Sequence, residues 1–388
     1  MRPGWSKVVL EDVATIVGRG ITPKYAENGD FQVINQKCVR NGRVSFEPAR
    51  WHDSEQRAVR EDKILQPDDI LVNSTGVGTL GRTAPVRNLN GPTTVDSHLT
   101  IVRPLGTVDP RWLAYAISFA EPEIVAMAEG STGQTELSRY RLAQLELSLP
   151  TLSEQKLIAA TLGALDDKID SNDRVQRICE FLVRALVMEA FRSSKGKEGT
   201  LANYCNLIRD SVGSEEMHAE EVYIGLEHMP RGSIFLRDWS RTDGLISSKW
   251  KFQKGDVLFG KLRPYFKKVG IVPIGGVCST DILVLRAKEA VNQAIVAVIA
   301  SSDELIDSLS AAATGTRMPR TSWTDLKKWP IPTLLKGERD SLSRVVSPLL
   351  SKAAEMTCET LVISALHSVF LTEFVTGRTC VLSGEPSS

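Results

Sequence analysis

Two segments of this 388-residue sequence carry residue types at spacings that could do chemistry. Gly76-Val-Gly78-Thr-Leu-Gly81 has the GxGxxG spacing of a dinucleotide loop. With Arg82-Thr83 it stands one residue from a phosphate-cradling loop, arginine occupying the lysine's place. Either chemistry needs a helix to begin at the loop, so that its first N–H groups face phosphate. Thr83-Ala-Pro85-Val follows instead and reads as extended. A glycine-rich hairpin that lets backbone approach a ligand such as DNA phosphate fits better. The second segment gathers Lys249, Lys251, Lys254, Lys261, Arg263, Lys267 and Lys268 against the single acid Asp256. Such a run is either a solvated strand-and-loop face or a surface for a polyanion.

Catalytic sets do not assemble. Arg263-Pro-Tyr265-Phe lacks the amide that a base-modifying methyltransferase needs ahead of its proline, and Glu61-Asp-Lys63 lies on the wrong side of Pro67-Asp68 for a nuclease. The five histidines join no Ser/His/Asp set, and the cysteines at 38, 179, 205, 278, 358 and 380 show no CxxC spacing. The expectation is a chain with no catalytic residue, no metal site and no cofactor of its own, its thiols reduced.

Composition agrees with a binding role. Apolar content of 42% and charged content of 24% are those of a globular chain. Lys+Arg and Asp+Glu both number 47, so the protein does not coat itself in nucleic acid indiscriminately, and any DNA reading must rest on local basic faces. Met1-Arg2-Pro3-Gly4-Trp5 reads as no signal peptide, and no uncharged apolar run approaches the ~18 residues of a membrane span. The expected location is the cytoplasm, with no membrane partner.

The elements that position these residues occur twice. Leu65-Gln-Pro-Asp-Asp69-Ile-Leu-Val72 matches Phe252-Gln-Lys-Gly-Asp256-Val-Leu-Phe259, and Val95-Asp-Ser-His98 through Arg103 matches Cys278-Ser-Thr-Asp281 through Arg286. Thr132-Gly133 matches Thr314-Gly315, and Leu147-Ser-Leu-Pro150 matches Trp329-Pro-Ile-Pro332. The offset drifts only from 187 (Asp69 to Asp256) to 182 (Pro150 to Pro332), which means a duplicated domain rather than a solenoid. Within each copy, short strands alternating with turns precede helical stretches, an α+β pattern.

Each copy ends in a helix. Ser153-Glu-Gln-Lys reads as an N-cap with an acidic first turn. Ile158, Leu162, Leu165, Ile169, Asn172, Val175, Cys179, Leu182 and Leu186 then make eight steps over 28 residues, a period of 3.5. Leu342, Val345, Leu349, Ala353, Met356, Thr360, Ile363, Leu366 and Phe370 do the same. That period marks a coiled-coil seam, and the simplest partner for each helix is the other, packed antiparallel, with Asn172 fixing register. The alternative is that each helix packs on its own domain. Pro348 either kinks the second helix or marks its true start. A helix of about 38 residues is roughly 57 Å long, long enough for two domains to read sites about one DNA turn, roughly 34–36 Å, apart.

Gly18-Arg-Gly20-Ile-Thr22-Pro23, Val33-Ile-Asn-Gln36-Lys37-Cys, Gly130-Ser-Thr-Gly133-Gln134-Thr135, and Leu147-Ser-Leu-Pro150-x-x-Ser-Glu154-Gln155 with Leu165-Asp-Asp-Lys168-Ile169 resemble the specificity subunits of type I restriction-modification enzymes. So do Leu262-Arg263-Pro264-Tyr265 and Met318-Pro-Arg320-Thr-Ser-Trp323. The second copy departs at Thr316-Arg317 and at Gly337-Glu338-Arg339. The resemblance implies two tandem target-recognition domains separated by an antiparallel coiled coil, in a pseudo-twofold α+β fold. The division is 1–150 for the first domain, 151–194 for the first helix, 195–333 for the second domain, 334–376 for the second helix and 377–388 for a tail. It also implies a split, asymmetric DNA site, two docked modification subunits that methylate adenine with S-adenosylmethionine, and restriction subunits that bring ATP and magnesium when recruited. A modification-only methyltransferase would use the same subunit. A scaffold whose domains bind protein is the rival of a different class.

Reading bases takes paired donors and acceptors, and holding phosphates takes cations, hydroxyls and N–H groups. Loop residues of these types are Arg19, Lys24, Gln36, Lys37, Ser74, Thr75, Arg82, His98 and Gln134 in the first domain. In the second they are Lys261, Arg263, Tyr265, Lys267, Lys268, Arg317 and Arg320. Gln134 could instead brace the terminal strand, His98 could be a core histidine, and Tyr265 could pack under its loop. For the coiled coil and subunit docking, the candidates are Ile158, Leu162, Leu165, Ile169, Leu182, Leu186, Leu342, Leu349, Met356, Ile363 and Phe370.

Overall fold

In the computed structural model, residues 2, 4–130, 135–312 and 319–379 are described. The chain is mixed helix and sheet and divides into two compact units, Met1–Asp167 with Ala365–Ser388, and Lys168–Ser364.

The first unit is built on an antiparallel sheet whose strands lie in the order Ala14–Arg19, Leu99–Pro104, Ile70–Asn73, Thr83–Pro85. Ile70–Asn73 is buried at every position, which is why it reads as a continuous run rather than an alternation. A second sheet orders Thr93–Val95, Phe31–Ile34, Arg50–His52 and Tyr25–Ala26, its first pair parallel. Pro110–Phe119 is a helix because Asp109 caps it, accepting from Trp112 N at 2.9 Å, and Pro110 stands where a missing N–H costs nothing. It buries Trp112, Leu113 and Ile117 in one core with Ile70, Val72 and Val102. Ile158, Leu162, Phe374 and Val375 belong to the same core, and half-buried Phe370 packs against it. Ser6–Val9 pairs antiparallel with Glu146–Leu149.

The second unit has an antiparallel sheet in the order Cys205–Ile208, Ile282–Ala287, Val257–Gly260, Val269–Ile271. A five-stranded sheet orders Ser211–Val212, Lys249–Phe252, Gly276–Cys278, Val222–Ile224 and Ser240–Arg241, with one parallel pair. The helix Asn292–Ala300 is buried from Ala294 to Ala300, and Glu198–Thr200 pairs antiparallel with Pro330–Pro332.

A buried ionic fork sits in each unit. Arg103 Nε and Nη2 donate to the two oxygens of fully buried Asp69, both at 2.7 Å, and Gln66 N donates to the same carboxylate at 2.8 Å. In the second unit Arg286 donates to Asp256 at 2.8 and 2.7 Å, and Gln253 N donates to it at 2.8 Å. The hydrogen bonds to the carboxylate raise the pKa of both arginines. The turns that bring these aspartates inward need positive φ at Asp68 (69°) and Gly255 (92°).

Two long helices, Leu152–Ser193 and Lys336–Val375, dominate the rest. The first is capped two residues earlier than Ser153. Thr151 N donates to Glu154 Oε2 at 3.3 Å while Glu154 N donates to Thr151 Oγ1 at 3.4 Å, a capping box. Glu338 starts the second helix by accepting from Leu335 N at 2.7 Å, so exposed Pro348 lies inside the helix and not at its start. Within the second unit Asn172 Nδ2 meets Thr360 Oγ1 at 3.3 Å, and Gln176 Nε2 meets Thr357 Oγ1 at 2.6 Å. Partner numbers fall as the first helix advances, so the segments run antiparallel there.

The buried stripe departs from a strict 3.5 period. Asn172, Gln176, Cys179, Val183 and Val187 are buried, while Val175 and Leu186 are half-buried and Leu182 is 39% exposed. On the second helix Leu342, Val346, Ala353 and Met356 are buried, Leu349 and Ile363 half-buried, and Val345 exposed. Leu165 and Ile169 are half-buried. A helix of 3.6 residues per turn drifts about 20° per heptad from a 3.5 pattern, which moves burial from Leu182 to Val183. The second helix also carries an 18-residue window of mean hydropathy 1.4, only 6% of it buried, so by length and composition it could cross a membrane. Counting uncharged runs missed it, because isolated charged side chains break a run without much lowering the mean.

Candidate nucleic-acid interface

In the first unit the loop from Ser74 to Arg82 leaves the fully buried strand and returns as Thr83–Pro85. Since a strand follows, no helix begins at this loop, and the strand–loop–helix arrangement of a phosphate cradle is absent. The loop closes on itself: Thr79 N and Leu80 N donate to Gly76 O at 3.1 and 3.0 Å, and Gly81 N donates to Asn73 O at 2.8 Å. Gly76 has φ 101°, and a Cβ there would stand 2.5 Å from Gln36 Oε1 and 2.4 Å from Thr79 Oγ1. Only glycine lets the loop sit on Gln36 this closely. Gln36 O accepts from Asn73 Nδ2 at 3.1 Å, while Gln36 Oε1 and Asn73 Oδ1 are buried without a hydrogen-bond partner.

Beside this loop Thr75 Oγ1 and His98 Nδ1 lie 2.7 Å apart, and His98 N donates to Asp96 at 2.9 Å. His98 is exposed, so it is no core histidine; His52 holds that role, its Nδ1 accepting from Lys24 N at 2.8 Å. Arg19 reaches the same corner. Its guanidinium donates to Glu136 at 2.7 Å, Leu137 O at 2.5 Å and Ser97 O at 3.0 Å, and burial lowers its pKa against the pull of Glu136. Arg19 therefore braces the loops around His98. Lys24 and Lys37 are exposed, and Arg82 is half-buried. Ser74 must be withdrawn as a DNA contact: it is fully buried, its Oγ 2.6 Å from Thr100 Oγ1. It sits at the end of a strand whose every position faces inward. Gln134 and Arg317 lie outside the described residues.

In the second unit Lys261 and Arg263 run alongside Arg320: Thr321 N donates to Lys261 O and Arg263 N donates to Pro319 O, both at 3.0 Å. Asp281 joins them, its carboxylate 3.3 Å from Arg320 and its carbonyl accepting from Lys261 N at 2.9 Å. Arg263 and Lys267 flank the Pro264–Phe266 turn in left-handed backbone, φ 51° and 49°, a costly state for side-chain-bearing residues that marks a strained, defined loop. Arg263 is exposed and Tyr265 is 49% exposed, its ring centroid 4.7 Å from that of Phe266. The other lysines are tethered. Lys261 Nζ donates to Thr280 O, Lys268 Nζ to Leu226 O, and Lys267 pairs with Asp303 at 2.5 Å. Burial lowers the pKa of Lys261 and Lys268. Lys249, counted in the basic run, is itself buried on Ser247.

The structure thus brings together Thr75, His98, Arg19 and Gln36 in one unit and Lys261, Arg263 and Arg320 in the other, leaving Lys24, Lys37 and Lys268 outside the hydrogen bonds that tie these corners. Glu136, Asp281 and Asp303, which aim the cations, were missed because a search for DNA-binding types passes over acids. Arg209, whose charge helps lower the pKa of Lys261, was missed too. Among the described residues no cluster of three His, Cys, Asp or Glu side chains is placed to hold a metal.

Loops bearing hydrogen-bond donors thus recur on both sheet-based units. Comparison with known proteins says what such a chain resembles. Residues 3–178 match the family model for the type I restriction modification DNA specificity domain. The chain is 31% identical over 111 residues to the type I restriction enzyme EcoDI specificity subunit of Escherichia coli, an alignment covering 29% of this chain and 24% of that protein. It is 25% identical over 195 residues to the StySPI specificity subunit of Salmonella potsdam, covering 47% and 40%. The alignments thus span less than half the length of these relatives. The crystal structure of a type I restriction-modification system S subunit from M. genitalium superimposes with a TM-score of 0.61 at 15% identity over 96% of both chains, which shows a shared fold.

Proposed function

We propose that this chain is the DNA-reading, non-catalytic subunit of a type I restriction-modification complex. Each unit reads one half of a bipartite, asymmetric site. The long helices form an antiparallel coiled coil that sets the spacer and docks two modification subunits, and restriction subunits when recruited. S-adenosylmethionine, ATP and magnesium belong to those partners.

The observation that carries this reading is the repeat of one reading frame in both units. Asp69–Arg103 and Asp256–Arg286 form the same fork, and both antiparallel sheets place their fork strands side by side. Arg19 stands opposite Thr100, two residues after His98; Arg209 follows Ile208, which stands opposite Val284, three residues after Asp281. The scaffold is repeated while the side chains at its corner differ, as a two-part asymmetric site requires. Docking is supported by apolar side chains left exposed on the helices, Ile178 at 50% and Phe181 at 71% on one, Val362 at 69% and Val369 at 58% on the other.

Selection from a random-sequence duplex library, with the modification subunit present, tests the reading. A two-part sequence with a fixed gap is expected. Enrichment of no sequence, or methyl transfer by the chain without a partner, would overturn it.

A further inference from the structure

Each unit enters a central strand of its antiparallel sheet through the same tight corner. In the first unit Asp96 N donates to Ile34 O at 3.0 Å, His98 N to the Asp96 carboxylate at 2.9 Å, Leu99 N to Asp96 O at 3.2 Å, and Ser74 N to His98 O at 2.9 Å. In the second, Ser279 N donates to Ile224 O at 3.0 Å, Asp281 N to Ser279 Oγ at 3.2 Å, Ile282 N to Ser279 O at 3.0 Å, and Lys261 N to Asp281 O at 2.9 Å. The bonds correspond one to one, so His98 and Asp281 hold the same place in two copies of one corner. Each stands directly before a strand whose first four residues are buried, Leu99–Pro104 and Ile282–Ala287. A place fixed by a packed strand can present a side chain with the precision that recognition needs. What differs is the side chain itself. An ionised aspartate accepts hydrogen bonds and donates none, whereas a neutral imidazole carries one donor and one acceptor. His98 is exposed, and its Nδ1 lies 2.7 Å from the Thr75 hydroxyl. With Thr75 donating that bond, the ring proton stands on Nε2. The Asp281 side chain is 36% exposed, and Arg320 takes one of its oxygens at 3.3 Å. A carboxylate has about four lone-pair sites, so Asp281 can still accept from a further donor. In the major groove guanine shows the N7 and O6 acceptors and cytosine the N4 amino donor.

Resting on the DNA-reading function, we propose that His98 and Asp281 are the matched specificity residues of the two half-sites, each reading one G·C pair in the major groove. His98 donates from Nε2 to guanine, and Asp281 accepts from the cytosine amino group. Thr75 is the positioning residue for His98, and Arg320 is that for Asp281. One geometry is thus used with opposite hydrogen-bond polarity, so that one half-site presents guanine where the other presents cytosine.

The test exchanges the two residues in the full chain, with its modification subunit present, and selects from a random-sequence duplex library. His98→Asp should invert one pair of one half-site from G·C to C·G. Asp281→His should invert one pair of the other half-site from C·G to G·C. Each inversion should change the preference at its pair about tenfold, with all other positions and the gap between half-sites as in the wild type. Thr75→Val, which removes the hydroxyl that orients the imidazole, should weaken selection at the His98 pair and at no other. Asp281→Asn keeps the shape and an oxygen for Arg320, and should relax selection at the Asp281 pair alone. It carries the test in the second unit if Asp281→His does not fold, which circular dichroism reads. Variants that lower affinity while every base preference stands, or that alter several positions together, overturn the proposal and leave the two residues as braces of their corners. Selection of no sequence by the wild type removes the DNA-reading function and this inference together. A selected wild-type sequence that the variants leave unchanged removes this inference alone.

Discussion

At the scale of residues, the Asp69–Arg103 fork shows how a sequence repeat acquires physical meaning. Asp69 and Arg103 are 34 residues apart, and their match to Asp256 and Arg286 was visible as pattern. That they touch was not visible, because nothing in the spacing says that two neighbouring strands bring them face to face. Asp69 is fully buried and the Arg103 side chain is 15% exposed, so losing one partner strands an uncompensated charge. Asp69→Ala should cost roughly 3–5 kcal/mol, measured as a fall in the urea midpoint. Asp256→Ala should cost less, because the Arg286 side chain is 34% exposed and water can take over part of its solvation. Equal losses at the two sites would contradict this ranking. The candidate readers divide by the same logic. Residue type pointed to Thr75, His98, Lys261, Arg263 and Arg320, which lie at the loop corners, but it could not see that Ser74 faces inward or that Lys268 is spent on a carbonyl.

Elements were more legible than contacts. Two long apolar periodicities located both helices, while the choice of buried face depended on a distinction between 3.5 and 3.6 residues per turn that accumulates with length. Leu182 and Val183 isolate that distinction. Val183 is fully buried and Leu182 is 39% exposed. Val183→Ala should cost about 2 kcal/mol from lost burial and the cavity left behind, and Leu182→Ala should stay within about 0.5 kcal/mol. Urea denaturation of the isolated chain reads both, and a larger loss at Leu182 would restore the strict heptad. In complex with a modification subunit the ranking can shift, since Leu182 adjoins exposed Ile178 and Phe181.

At the scale of the molecule, the repeat offset pointed to a duplicated domain; the strand orders of the two antiparallel sheets agree with that reading, while the second sheets differ, with four strands in one unit and five in the other. Sheet order itself was not readable, because a parallel pair such as Thr93–Val95 with Phe31–Ile34 joins segments some 60 residues apart that share no pattern. The proposed coiled coil makes a quantitative prediction. One heptad inserted into both helices adds about 10 Å of rod, or about three base pairs at roughly 3.4 Å each. The preferred gap between half-sites should lengthen by that amount with both half-site sequences unchanged, as read by library selection. An unchanged gap would refute the spacer role.

The short strand pairs that close each domain carry one more consequence. Ser6 lies opposite Leu149, and Glu198 lies opposite Pro332. Each domain is therefore bracketed by two adjacent antiparallel strands, the second of which leads into a long helix, so that its chain ends lie side by side. Such an arrangement is a cassette: an exchange of genetic material with crossovers in those strands can transplant a whole reading domain without redirecting the helices that receive it. On the proposed function, new two-part specificities would then arise by shuffling intact halves rather than by altering loops one residue at a time.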